Sequence, residues 1–156
     1  EVVVEEAIAR SVVFKADVVA ADKSESKGVR ECLNYGHTLG HAVEALAGYG
    51  TFSHGAAVAE GMRFAARMAV SLVDAPLDLV ETQDSLLDQL GLPALDWSAE
   101  PEAMLEAMKR DKKARHGQVR FVLPRDVGSW ELRDVDADVD DATILDHLNA
   151  WARSKA

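Results

Sequence analysis

Cysteine is nearly absent. A single Cys32 in 156 residues excludes an intramolecular disulfide and a cysteine-based zinc cluster, and its position between Arg30 and Asn34 predicts a thiol packed in the core. Basic residues are outnumbered, 17 against 27 acidic, and the formal net charge of -10 argues against nucleic acid, whose binding is driven by basic patches. An anionic small molecule stays open as a ligand. Local clusters such as Arg30 with the histidines, or Lys109-Arg110-Asp111-Lys112-Lys113, can concentrate positive potential in an acidic chain. Long apolar runs are missing as well: charges interrupt each one well short of the ~20 residues a membrane span needs. No charged-then-apolar leader opens the sequence, so the expected location is cytoplasmic. Neither a Gly-rich strand-to-helix turn of the dinucleotide or P-loop kind nor an alternating βαβ pattern is found, which excludes a conventional nucleotide site within these residues.

What is present is mainly helical. At 48% apolar residues the chain has enough material for one domain with a real core. Apolar spacing predicts a long helix over Val2 to Val19, then a polar break over Asp22 to Gly28. A second helix is expected from Val29 or Arg30 to about Ala47, and an Ala-rich, buried one from His54 to about Leu72, with Gly55 and Gly61 permitting close helix contacts. Pro76 opens a helix to about Leu90 that Gly91-Leu92-Pro93 ends, and Glu102 to Lys113 forms another. The pattern then turns β-rich in Gln118 to Pro124 and Ser129 to Arg133 around a turn at Asp126-Val127-Gly128, which predicts a short hairpin before a last helix over Asp140 to Ala152. The expected fold is therefore a multi-helix, mainly α domain with a small β-hairpin, without repeats.

Within the second helix, Arg30, Asn34, His37 and His41 recur at spacings of four, three and four. At ~100° per residue they fall within roughly 60° of one another on one face. A guanidinium, an amide and two imidazoles in a row can hold an anion, fix a hydroxyl, bind a metal or move a proton. Gly36 and Gly40 each cost roughly 1 kcal/mol against Ala in a helix interior, so their place beside the histidines implies that something packs or binds close to the backbone. A third imidazole, His54, stands where the next helix starts. Reading His37 and His41 as a chelating i,i+4 pair of the metalloprotease kind meets an objection, because His37-Thr38-Leu39-Gly40-His41 carries no glutamate base.

The blocks Arg30-x-x-x-Asn34-Tyr35-Gly36-His37-Thr38-Leu39-Gly40-His41-Ala42-x-Glu44, Gly48-Tyr49-Gly50, His54-Gly55-x-x-Val58-Ala59-x-Gly61-Met62, Gly91-Leu92-Pro93, Asp111-Lys112-Lys113 and Phe121-Val122-Leu123-Pro124 resemble 3-dehydroquinate synthase, in order along the whole chain. The resemblance is to the helical, C-terminal half of that enzyme. It implies that residues 1–156 are a metal- and substrate-binding domain whose NAD-binding α/β partner domain lies upstream. The opening Glu1-Val2-Val3-Val4, without an initiator Met, reads as a piece of a longer protein. The implied reaction is a lyase step of the shikimate pathway, from 3-deoxy-D-arabino-heptulosonate 7-phosphate to 3-dehydroquinate and phosphate. It uses NAD and a divalent metal, Zn2+ or Co2+, commonly in a homodimer.

Carried over residue by residue, the resemblance makes His37 and His54 metal ligands, seventeen positions apart, and His41 a catalytic histidine suited to proton transfer. It makes Lys15, Arg30 and Asn34 substrate-binding residues, with one of Lys112 and Lys113 as a late substrate lysine. No residue of this chain is expected to bind NAD. The family's third metal ligand is an upstream glutamate in an Ala-Glu-x-x-Lys segment that this sequence does not contain. Glu44, about two turns along the helix from His37, and Glu60 are poor substitutes for it. Ala56 stands where many relatives carry Glu, at no expected ligand position. His116 and His147 match no family motif and are read as structural or surface residues. Other sugar-phosphate cyclases, such as 2-deoxy-scyllo-inosose or valiolone-type synthases, share the expected fold. His41 speaks against the valiolone branch, and polyol and iron-dependent alcohol dehydrogenases lack the Arg-to-His41 block. A different class of reading makes the isolated domain a non-catalytic module, with two of three metal ligands and no hydride acceptor.

Overall fold

In the computed structural model the described residues are 2–23, 28–114 and 119–155, with side chains described for all but 2, 3 and 111–114. Their elements run α1 (Val2–Ala21), a 3-10 helix (Val29–Asn34), α2 (His37–Ala47), α3 (His54–Leu72), α4 (Leu77–Gln89), α5 (Pro101–Ala114), β1 (Arg120–Asp126), β2 (Ser129–Asp134) and α6 (Asp141–Arg153). Two compact units divide the chain, Glu1–Asn34 and Tyr35–Ala156. The architecture is mainly α with one small antiparallel hairpin, as the sequence pattern predicts.

The first unit contains α1 and the 3-10 helix. They are tied by the Asp22 carboxylate, which accepts from the Val29 backbone N–H at 3.1 Å across the connecting segment. Cys32 is half-buried in the 3-10 helix and outside the core, against the expectation of core packing. Burial still pushes its thiol pKa up.

The second unit is organised by α3. Ser53 caps it, its Oγ accepting from the Ala56 N–H at 3.2 Å, and ten of its residues are buried. On one side it meets α2 at glycine. A Cβ on Gly61 would fall 1.8 Å from the Gly36 carbonyl oxygen, and one on Gly40 would fall 3.1 Å from the Ala57 oxygen. Gly55, by contrast, has open space around it, so the close contact expected there is not made. The core is then filled by Leu39 and Val43 of α2, Phe64 and Met68 of α3, Met104 and Met108 of α5, Phe121 and Leu123 of β1, and Ile144 and Leu148 of α6. Glu60, buried on α3, accepts from Trp151 Nε1 at 2.6 Å and from the Leu95 N–H at 2.9 Å, and it pairs with Lys155 at 2.6 Å. Arg63, also buried, donates to Asp88 at 2.6 Å and to the Leu92 carbonyl at 3.0 Å. These bonds satisfy charges that would otherwise be costly inside a protein.

The hairpin pairs Phe121 with Arg133 and Val122 with Leu132, with an irregularity between Pro124 and Asp126. Arg120 and Asp134 face each other at its open end, and the guanidinium holds the Asp134 carboxyl below the usual carboxylate range. Phe121, Val122 and Leu123 are all buried. Successive strand residues point to opposite faces, so β1 is covered on both sides rather than alternating in and out. Thr38 on α2 donates its hydroxyl to the Arg120 carbonyl at 2.6 Å, fastening the start of α2 to the hairpin.

Candidate metal and substrate site

The single motif helix expected from Arg30 to Ala47 is broken. A 3-10 helix ends at Asn34 and α2 begins at His37. Between them Gly36 sits at φ 79°, in the left-handed region where glycine carries no Cβ penalty. The reason for the break is α3: its backbone at Val58 would lie 2.5 Å from a Cβ on Gly36, and only the glycine turn lets the two chains come this close. Tyr35 pins the turn. Its hydroxyl donates to Gln83 of α4 and lies 3.3 Å from the Met62 carbonyl, and burial pushes its pKa above the ordinary tyrosine value.

The same contact delivers the chemistry. His37 opens α2, His41 follows one turn on, and His54 opens α3. The crossing of the two helices at Gly61 sets these starts side by side. Ring centroids lie 5.3 Å apart for His37 and His54, 5.5 Å for His37 and His41, and 6.0 Å for His41 and His54. His37 Nδ1 is 3.2 Å from the Tyr35 carbonyl. A carbonyl only accepts, so Nδ1 carries the proton and Nε2 the lone pair. His54 Nδ1 lies 3.2 and 3.3 Å from the two oxygens of Glu44, with the same consequence.

Two imidazoles at neighbouring helix starts thus carry their lone pairs on Nε2, with a third imidazole beside them. That donor set fits a divalent ion of the zinc type, which takes neutral imidazole nitrogen. His41, Glu44 and His54 also offer one ligand atom each within 4.8 Å of one another. Sequence reasoning measured Glu44 against His37 and missed its neighbour, His54. The available signal was His41 and Glu44 at i,i+3, which share a helix face. Glu60, the other glutamate weighed as a ligand, is committed to Trp151, Leu95 and Lys155.

The remaining predicted residues belong to other elements. Lys15 is exposed on α1, Arg30 is half-buried and Asn34 exposed in the 3-10 helix, all in the unit Glu1–Asn34. Asn34 donates to Glu31 at 3.1 Å. They do not share one α-helical face with His37 and His41, because Gly36 interrupts it. Lys112 and Lys113 fall at the end of α5, where side chains lie outside those described, and His116 is itself outside the described residues. His147 is half-buried, its Nε2 3.1 Å from Ser71 Oγ. The two-stranded antiparallel sheet is the only one among the described residues, so the parallel framework of a dinucleotide site is not found there. No helix among the described residues is long and apolar enough to cross a membrane.

The family model described as 3-dehydroquinate synthase C-terminal matches residues 1–114. A 3-dehydroquinate synthase of Rhodopirellula baltica is 48% identical over 122 residues, 78% of this chain and 32% of the relative. That of Xylella fastidiosa is 47% identical over 145 residues, covering 89% and 36%. The chain therefore spans about a third of the length of the curated relatives it matches. A 2-deoxy-scyllo-inosose synthase solved with carbaglucose-6-phosphate, NAD+ and Co2+ superposes with a TM-score of 0.72 at 26% identity, over 92% of this chain and 39% of that one. A 2-epi-5-epi-valiolone synthase from Streptomyces hygroscopicus, with NAD+ and Zn2+ bound, gives 0.75 at 22% identity, over 94% and 39%, and so speaks to the fold alone.

Proposed function

Because the chain belongs to the 3-dehydroquinate synthase family, in the part its C-terminal model describes, we propose that it is the metal- and substrate-binding part of an enzyme converting 3-deoxy-D-arabino-heptulosonate 7-phosphate to 3-dehydroquinate and phosphate. The observation that carries this reading is the meeting of three imidazoles at the starts of α2 and α3, two of them with Nδ1 bonded to an acceptor. His37 and His54 would hold the metal through Nε2. When bound, the metal would supply Lewis acidity toward substrate hydroxyls.

The chain's own residues have separate tasks. His41, half-buried beside His37 and His54, takes or gives a proton at a substrate oxygen or carbon, a role open to an imidazole at neutral pH. Arg30 can grip a carboxylate or phosphate with two parallel N–H donors, while Asn34 and Lys15 bond hydroxyl and anionic oxygens. One of Lys112 and Lys113 adds a further cation. Hydride chemistry belongs to NAD, whose site these residues do not fit. An NAD-binding domain and a second copy are the expected protein partners.

The related reading, a 2-deoxy-scyllo-inosose synthase, draws on the superposition at 26% identity. Phosphate release by the full-length protein carrying this chain separates the two. Release from the heptulosonate phosphate, and none from glucose 6-phosphate or sedoheptulose 7-phosphate, is expected. Release from a sugar phosphate alone would overturn the proposal.

A further inference from the structure

We infer that Glu44 is the positioning residue of His54, the group that fixes its tautomer and turns Nε2 toward the metal. The inference rests on the reading of His54 as a metal ligand. His54 needs such a partner: as the first residue of α3 its side chain is 57% exposed, so packing does little to hold the ring. The Glu44 side chain is 18% exposed, rises from the neighbouring α2, and brings both oxygens within 3.3 Å of Nδ1. A carboxylate can only accept. It therefore selects the Nδ1–H form and leaves the lone pair on Nε2.

His37 receives the same treatment from the Tyr35 carbonyl at 3.2 Å. The two ligands are thus oriented by unlike groups, one main chain and one side chain, and only the second can be removed by mutation. Direct ligation by Glu44 is the competing arrangement. Against it, both oxygens sit at Nδ1, 3.2 and 3.3 Å away, whereas a metal held at Nε2 lies on the other side of the ring.

Zinc affinity of the full 156-residue chain, read by competition with a chromophoric chelator and joined to the visible spectrum of the Co2+ form, tests this. Glu44→Ala should weaken zinc by about ten- to hundredfold while leaving the Co2+ bands in place, because the ligand set is unchanged. Glu44→Gln should recover part of the loss, since its amide oxygen still accepts from Nδ1–H. In a His54→Ala background Glu44→Ala should cost nothing more. Wild-type affinity in Glu44→Ala, or a loss that persists without His54 together with shifted Co2+ bands, overturns the inference. Wild-type affinity in His54→Ala would instead overturn the metal reading beneath it, and the inference with it.

Discussion

His147 shows how burial sets the behaviour of a single residue. Burial holds its imidazole below the usual histidine range, against a smaller opposing pull from Asp146, and its ring meets Phe64 edge-on. Near the ordinary histidine pKa of ~6.5 the unfolded chain therefore binds more protons than the folded one. The stability this group contributes is complete above that pH and is lost as pH falls through it toward the lower folded value. The urea midpoint should drop between about pH 7.5 and 5, and His147→Phe should flatten part of that slope. Identical slopes in the two proteins would contradict the assignment. At the same scale the histidines of the site were legible as residue types at telling intervals. Glu44 was not, because its partner lies ten residues on, across a loop and on another helix.

At the scale of elements, glycine decides where helices end and meet. The chain's helices and hairpin were readable from apolar periodicity, Pro76, Gly91-Leu92-Pro93 and the Gly128 turn. The break at Gly36 was not, since a period of 3.6 runs through Arg30, Asn34, His37 and His41 whether or not the backbone stays helical. What breaks it is the nonlocal approach of α3, which no local pattern encodes. Gly61→Ala would drive a methyl into the Gly36 carbonyl. Because the obstacle is backbone, the helices must separate, at a cost of about 1–3 kcal/mol or more, and zinc binding should fall as His54 moves from His37. Gly55→Ala, with open space around it, is the control and should leave stability unchanged or raise it by up to ~1 kcal/mol. Urea midpoints and zinc affinities of both variants check this, and equal behaviour would contradict the role given to the α2–α3 contact.

For the whole molecule, the proposed function assigns the third metal ligand and the dinucleotide site to residues outside this chain, which spans about a third of its curated relatives. Two imidazole ligands without the family's upstream glutamate should bind zinc weakly. With no dinucleotide framework among the described residues, the isolated chain should release no phosphate from the heptulosonate phosphate on adding NAD and zinc. Turnover by the chain alone would contradict that division of labour. The central claim is narrower: His37 and His54, from two helix starts, hold the metal while His41 beside them does not. Zinc bound at equilibrium with a fixed concentration of free zinc, by elemental analysis of the wild-type chain and of His37→Ala, His41→Ala and His54→Ala, tests it most directly. The account predicts zinc lost with His37→Ala and His54→Ala and kept with His41→Ala. Loss with His41→Ala and retention with His37→Ala would contradict it, and would place the metal with His41, Glu44 and His54.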